Sequence, residues 1–289
     1  MTPPDLSGSI QIELLRFTIS NYQNLMSLQL VDSHCHLDRL DLSVLGGDLK
    51  SVLNAAKDHN VGHMLCVSIN LETFPDVIAI AHAHENVFAS VGVHPNETDC
   101  KDPSIEELVS LASDPKIVAI GETGLDYFRS EGDLNWQRER FCRHISAAKQ
   151  TGKPLIIHTR DSAADTIKIL KDEGADSVGG VMHCFTGDLE TAKQAIELGF
   201  YISLSGIVTF KSATDLQQIA KEVPNEFLLV ETDSPYLTPV PYRGKANQPA
   251  YVSHVAEKVA DLREITVEEL TKITTENFFR LFSSAIAVQ

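Results

Sequence analysis

The sequence lacks the cysteine patterns that hold small secreted domains or thiolate metal sites together. Its five cysteines are an odd number, are widely spread and form no CxxC pair. They are Cys35, Cys66, Cys100, Cys142 and Cys184. Neither a disulfide framework nor a thiolate zinc site is therefore indicated, and a reducing compartment, the cytoplasm, fits best.

Long apolar runs are also missing. No run reaches the roughly 18 residues that a membrane helix needs. The first 26 residues have neither the basic start nor the apolar block of a signal peptide. We therefore predict no membrane span and no export.

Positive charge is scarce in this chain of 289 residues. The 24 Lys and Arg residues stand against 40 Asp and Glu residues, which gives a formal net charge of −16. This charge favours solubility and opposes diffuse attraction to polyanions. A phosphate-bearing substrate would therefore need local capture, by a bound cation or by a few well-placed Arg and Lys side chains.

Short apolar or β-branched runs alternate with longer stretches of helical spacing, which is typical of a parallel α/β fold. Eight strand–helix units without an intervening linker predict a single-domain (β/α)₈ TIM barrel over residues 27–289. An open doubly wound sheet is the alternative. The predicted strands are 28–34, 62–69, 87–94, 117–124, 154–160, 179–185, 201–206 and 227–233.

Two further parts of the chain have distinct patterns. Asp188 as N-cap and Gly199 as stop predict a helix between them, with apolar residues at spacings of three and four. Residues 1–26 show no barrel-like pattern, so we expect an N-terminal extension that is poorly ordered or not native. Our hypothesis is that Met26 is the native start, which mass spectrometry of the native N-terminus would test.

Residues that bind metals recur at the ends of the predicted strands. His34 and His36 are two apart in an extended strand, so both imidazoles can point to one face and reach one ion. An HxH pair alone is weak evidence for a metal site. However, four more residues of metal-ligand type lie at the ends of separate predicted strands, and the carboxyl-terminal ends of the strands meet at one face of a barrel. These four are Glu122, His158, His183 and Asp233.

Four imidazoles and two carboxylates exceed the three protein ligands of a typical catalytic zinc. They indicate two divalent ions about 3.5–4 Å apart. Nitrogen and oxygen donors without thiolate suit Zn²⁺, Mn²⁺ or Mg²⁺, and the histidines disfavour Mg²⁺. Simpler explanations are an N-cap for Asp233, a solvated loop for Glu122 and core packing for His158 and His183.

The phrases around these residues resemble the TatD family of metal-dependent hydrolases, within the amidohydrolase superfamily. They are DSHCHLD, GETGLDY, IIHTR, MHCF and ETDSPYL. They occur in the family's order from about residue 28 to the C-terminus, and YRGK and ENFFRLF favour the YcfH-like branch. The chain departs from the family in its extra N-terminal residues and in Asn96, where many relatives have His, which concerns substrate contacts.

The resemblance implies a deoxyribonuclease with 3′ to 5′ exonuclease action on single-stranded DNA. The metal sites that it implies are His34, His36 and Asp233 for one ion, His158 and His183 for the other, and Glu122 as bridge. Two such ions would activate a hydroxide as the nucleophile. We expect Asp233 to accept its proton, so Asp233 and Glu122 are the catalytic candidates.

Candidate substrate contacts surround this set. Arg160 lies two residues beyond His158 and could bind a phosphate or pair with Asp161. Arg243 and Lys245 form a basic patch after the eighth strand and could supply the local phosphate capture. The remaining candidates are His94, Tyr127, Ser205 and Tyr236.

The ligand set leaves the substrate open. The same paired ions can promote attack on a carbonyl carbon, so an amidase, a lactonase or a D-aminoacyl-tRNA deacylase is the alternative, with aminoacyl-tRNA as its partner. A third hypothesis is a barrel that binds metal as a scaffold and has no enzymatic activity. The sequence indicates DNA as the first-choice partner, no membrane, and no obligate protein partner.

Overall fold

The computed structural model describes residues 28–286, so the predictions for residues 1–26 lie outside its described residues. Eight parallel strands form one sheet, and neighbouring strands in the sheet are also neighbours in the sequence. The strands are β1 (Leu30–Cys35), β2 (Val61–Cys66), β3 (Val87–Val91), β4 (Ile117–Asp126), β5 (Leu155–Arg160), β6 (Gly180–Met182), β7 (Phe200–Leu204) and β8 (Leu228–Val230).

Helices alternate with the strands. The predicted helix after Asp188 is confirmed, because the Asp188 carboxylate caps it by accepting the Thr191 N–H and Gly199 follows its end. None of the helices in residues 28–286 combines the length and apolar character of a bilayer crossing. The helices are α1 (Leu49–Asp58), α2 (Phe74–Ala83), α3 (Ile105–Leu111), α4 (Asn135–Thr151), α5 (Ala163–Asp172), α6 (Leu189–Glu197), α7 (Thr214–Glu222), α8 (Val252–Arg263) and α9 (Val267–Leu281).

The chain that follows β8 returns to β1 and closes the ring. The backbone N–H of Asp233 donates to the His34 carbonyl at 2.9 Å. The buried Asp32 carboxylate accepts both the backbone N–H of Thr232 at 2.8 Å and its hydroxyl at 2.6 Å. The closed ring confirms the (β/α)₈ barrel and rules out the open doubly wound sheet.

The barrel interior is filled by one apolar layer. Each of the eight strands contributes to it, and Phe278 of α9 and Phe282, directly after this helix, pack against the same layer. The opposite faces of the strands pack against the surrounding helices in a second, larger cluster. The strand residues of the inner layer are Val31, Leu65, Phe88, Val118, Ala119, Ile156, Val181, Tyr201 and Leu229. With this layer closed, polar side chains can converge only at the carboxyl-terminal ends of the strands.

A buried hydrogen-bond chain anchors the loop after β3. Arg140 of α4 donates to the carbonyls of His94 and Glu97 at 2.9 and 2.8 Å. The neighbouring His144 is fully buried; its Nδ1 donates to the Arg140 carbonyl and its Nε2 accepts the Val93 N–H at 3.0 Å. Because Nε2 acts as an acceptor, the imidazole has to stay neutral in the folded protein.

We expect His144 to make the fold sensitive to acid. Burial is the main cause that lowers the pKa of His144 from 6.5 to about 4. Between these values the unfolded chain binds a proton that the folded protein excludes. The free energy of unfolding should therefore fall by about 3 kcal/mol as the pH drops from 6.5 to 4.

Chemical denaturation at several pH values measures this effect. The pH dependence should shrink by that amount in His144→Gln and stay unchanged in His84→Gln, which alters a half-buried histidine directly after α2. Equal pH dependence in wild type and His144→Gln would contradict the assignment.

Candidate metal centre

The six side chains predicted to bind metal all lie at the carboxyl-terminal end of the barrel. Five strands contribute them, and each side chain is buried except that of the half-buried His158. The set consists of His34 in β1, His36 directly after it, Glu122 in β4, His158 in β5, His183 directly after β6 and Asp233 after β8.

The two-residue period of a strand explains why several of these side chains point inward. On β5, Ile156 belongs to the inner apolar layer, and His158 is two residues further on. Leu229 of β8 belongs to the same layer, and Glu231 and Asp233 follow the strand at spacings of two. The inner face of the barrel therefore changes from apolar packing to polar donors near the mouth.

The Glu122 carboxylate lies between two groups of imidazoles. Its Oε2 faces the first group, with His34 Nε2 at 3.5 Å and His36 Nε2 at 3.9 Å. Its Oε1 faces the second group, with His183 Nε2 at 2.8 Å and His158 Nδ1 at 3.2 Å. One carboxylate is thus within reach of both groups, as a bridging ligand requires.

The spacing of the first group fits a divalent cation. The Nε2 atoms of His34 and His36 lie 3.3 Å apart, and Asp233 Oδ1 lies 3.7 and 3.4 Å from them. A tetrahedral zinc site with arms of 2.0–2.1 Å has edges of about 3.4 Å. The donor atoms are therefore already placed about one ligand–ligand edge apart.

Three of the imidazoles have their outer nitrogen bound to a group that only accepts hydrogen bonds. That nitrogen must carry a proton, so the other nitrogen can present a lone pair to a cation. The pairs are His36 Nδ1 with the Val67 carbonyl at 2.9 Å, His158 Nε2 with Asp126 Oδ2 at 3.0 Å, and His183 Nδ1 with Glu231 Oε1 at 3.3 Å.

His94 has the opposite arrangement. Its Nε2 lies 3.4 Å from Glu122 Oε1, within the same cluster. However, its Nδ1 accepts the backbone N–H of Asn96 at 3.0 Å. Burial lowers the pKa of His94 to about 3, so the ring is neutral and its one proton sits on Nε2. His94 therefore faces the cluster as a hydrogen-bond donor.

The carboxylates and imidazoles of the cluster stabilise each other's charge. Burial opposes ionisation of Glu122, but the adjacent His183 holds the pKa of that carboxyl well below its usual range. Burial also disfavours charge on His183, yet Glu122 raises its pKa well above the usual range. A divalent cation would replace the imidazole protons in this arrangement.

Glycine at position 124 is needed for the contact between β4 and β5. Its φ is +132°, and a Cβ there would lie 2.0 Å from the His158 carbonyl oxygen. Only glycine fits such a close backbone approach. The approach brings the strand of Glu122 next to that of His158, and it accounts for one glycine of the GETGLDY phrase.

The predicted substrate contacts lie in different surroundings. Arg160 is exposed, with its guanidinium 4.2 Å from the ring centre of Phe128. Arg243 and Lys245 are exposed on the loop after β8. Tyr127 and Ser205 already have partners inside the chain. The Tyr127 hydroxyl donates to Asp165 at 2.7 Å, and the buried Ser205 hydroxyl lies 3.2 Å from Cys184 Sγ.

Two carboxylates of the site were missed from the sequence. Glu231 forms a possible metal-binding group with His34 and His183, and Asp126 holds the outer nitrogen of His158. Glu231 stands two residues before Asp233, and Asp126 four residues after Glu122. The two-residue period of their strands could have identified both as inward-facing.

Asn96, the departure from the family pattern, supports this arrangement. Its amide donates to Asp126 Oδ2 at 2.8 Å, and its backbone N–H binds His94 Nδ1. The sequence suggested an effect on substrate contacts. In the structure, Asn96 also acts on a predicted ligand, because Asp126 in turn orients His158.

Comparison with known proteins gives the family. The family model described as TatD related DNase matches residues 31–283. YcfH of Escherichia coli K12, named an uncharacterized metal-dependent hydrolase, is 50% identical over 254 residues, covering 88% of this chain and 95% of YcfH. YabD of Bacillus subtilis 168 has the same description and is 42% identical over 254 residues, covering 88% of this chain and 98% of YabD.

A solved structure agrees with this grouping. The crystal structure of YJJV, a TatD homologue from Escherichia coli K12, matches with a TM-score of 0.83 and 28% identity. The match covers 89% of this chain and 99% of that chain. The chain therefore belongs to the TatD family of metal-dependent hydrolases, and the resemblance seen in its motifs is confirmed.

We expect Asp126 and Glu231 to control how well the site binds metal. Loss of an outer carboxylate frees the imidazole to rotate and makes it less basic, which typically costs 10–100-fold in metal affinity. Asp126→Asn and Glu231→Gln should each weaken binding by about this factor. Competition with a chromophoric chelator measures the affinity, and elemental analysis measures the bound metal.

Asp165→Asn is the matched control, because Asp165 binds Tyr127 and Arg138 rather than an imidazole. Its metal affinity should equal that of the wild type. If Asp126→Asn and Glu231→Gln also bound metal normally, the two carboxylates would have no orienting role.

Proposed function

We propose that this protein is a deoxyribonuclease that hydrolyses phosphodiester bonds of single-stranded DNA from the 3′ end, with two divalent ions as cofactors. The observation that carries the proposal is Glu122, whose two oxygens face separate groups of ligand-type side chains. His34, His36 and Asp233 would hold one ion, and His158 and His183 the other. Zn²⁺ and Mn²⁺ suit these nitrogen-rich groups better than Mg²⁺ does.

The ions and the protein would contribute different parts of the reaction. When bound, the ions lower the pKa of a water molecule and neutralise charge that develops on the phosphoryl oxygens. The Asp233 carboxylate, 3.4 Å from His36 Nε2, accepts the proton of the attacking water. The Nε2–H of His94 points toward the cluster, so His94 can donate a hydrogen bond to a phosphoryl oxygen there.

Several observations support a phosphodiester over an acyl substrate. The family description names a DNase. Arg160, Arg243 and Lys245 are exposed cations in a chain of net charge −16, and they provide the local phosphate capture that such a chain needs. A cytoplasmic location is part of the proposal, supported by five cysteines that are all free.

A substrate panel tests this function. Metal-loaded protein is offered single-stranded DNA, D-aminoacyl-tRNA and simple esters, and its metal content is determined on the same sample. We expect DNA hydrolysis, about two ions per chain, and loss of activity after chelation with recovery on adding metal. Cleavage of the tRNA ester without cleavage of DNA would replace the nuclease by the deacylase.

Asp233→Asn should retain the fold but lose most of the rate. Removing a general base typically costs 10²–10⁴-fold, so we expect kcat to fall by about that factor. Asp172→Asn, which changes an exposed carboxylate of α5, is the control and should keep wild-type kcat. A kcat for Asp233→Asn within about threefold of wild type would exclude Asp233 as the proton acceptor.

A further inference from the structure

Two aromatic rings are exposed at the mouth of the barrel. Phe128, in the loop after β4, is 60% exposed, and Tyr236, in the loop after β8, is 51% exposed. Within residues 28–286 they are the only aromatic members of the exposed large hydrophobic side chains. An exposed ring does not contribute the hydrophobic stabilisation that its burial would give. Core packing therefore does not explain why aromatic residues stand at these two positions.

The backbones of both residues are hydrogen-bonded to residues of the candidate metal centre. The backbone N–H of Phe128 donates to Asp126 at 3.0 Å, and Asp126 also binds His158. The backbone N–H of Tyr236 donates to the Asp233 carbonyl at 2.8 Å, and its ring centre lies 6.0 Å from that of His36. Each ring thus lies on a loop whose backbone contacts the site, while half or more of the side chain's surface is open to solvent.

The topology places the two rings on opposite sides of the centre. In a ring of eight strands in sequence order, β4 and β8 are four strands apart in either direction. The loops that follow them therefore lie across the mouth from each other, with the Glu122 cluster between them. A chain that passes over the cluster would meet one ring before it and the other ring after it.

The chemistry of exposed rings selects the part of a substrate that they could bind. The chain carries a net charge of −16, so a polyanion gains little from diffuse attraction. Stacking of bases on aromatic rings needs no net charge and tolerates any sequence. It requires unpaired bases, since the faces of paired bases are already stacked within a duplex. The guanidinium of Arg160 covers one face of Phe128, 4.2 Å from the ring centre, so a base would stack on the opposite face of this 60% exposed ring.

We propose that Phe128 and Tyr236 are two stacking platforms that bind unpaired nucleobases on either side of the phosphate at the metal centre. This inference rests on the proposed nuclease function and extends it, since it names the rings that distinguish single strands from duplexes. The two platforms position the strand, and the catalytic groups act on the phosphate between them.

Fluorescence anisotropy of labelled oligonucleotides tests the proposal. The full chain with Asp233→Asn is used as background, so that the oligonucleotide is not cleaved during the measurement. Its ligands are an oligothymidylate, an abasic strand of the same length, and the oligothymidylate annealed to its complement. The loss of one aromatic ring on which a base stacks typically weakens the binding of a single strand about 5- to 150-fold. Phe128→Ala and Tyr236→Ala should each weaken oligothymidylate binding by about this factor.

The controls separate stacking from general effects. Phe128→Trp and Tyr236→Trp should keep the affinity, because they keep an aromatic face. Val240→Ala removes an exposed aliphatic side chain on the same loop as Tyr236 and should leave binding unchanged. The abasic strand should bind weakly and equally to all variants, and the duplex should bind more weakly than the single strand.

Failure of this inference can be told from failure of the proposed function. The stacking proposal would be wrong if the alanine variants bound oligothymidylate with wild-type affinity. It would also be wrong if the substitutions weakened binding of the abasic strand by the same factor. An absence of oligothymidylate binding in the background protein would overturn it as well. Hydrolysis of methyl 4-nitrophenyl phosphate by the metal-loaded wild type, a phosphodiester without nucleobases, reports on phosphodiester chemistry independently of either ring.

Discussion

The structure of the site depends on one buried carboxylate, that of Glu122. An anion removed from water is unstable unless positive or hydrogen-bonding groups surround it. Here four imidazoles from β1, β5 and β6 lie within 3.9 Å of its two oxygens. The barrel makes this possible, because its closed ring lets distant parts of the chain approach one point from several directions. The same geometry would allow Glu122 to link the two cations that we propose.

The directions of four imidazoles are set by hydrogen bonds from outside the cluster. Val67, Asp126 and Glu231 accept hydrogen bonds from the outer nitrogens of three histidines, so the inner nitrogens are free to bind. His94 is turned the other way by the Asn96 N–H and becomes a donor. Histidines that look equivalent in the sequence therefore divide into three that can present a lone pair to the cluster and one that presents an N–H.

The acidic character of the chain is compatible with a nucleic-acid substrate because binding is expected to be local. The predicted ions neutralise the cluster, and a few exposed cations and aromatic rings stand around the mouth. Stacking and direct phosphate contacts depend less on the overall field than on side chains at the right positions. A net charge of −16 then limits non-specific attraction without preventing specific capture.

The sequence alone determined the architecture and the residue types of the site. Eight apolar runs at regular intervals are sufficient to predict the barrel, because strand burial depends on local periodicity, and the ends of those runs identified Glu122 and the four histidines around it. Tertiary structure alone decided which nitrogen of His36, His158 and His183 faces inward, and that Asp126 and Glu231 orient the last two. Those features depend on hydrogen bonds between residues up to 48 positions apart, whose geometry is absent from any local pattern.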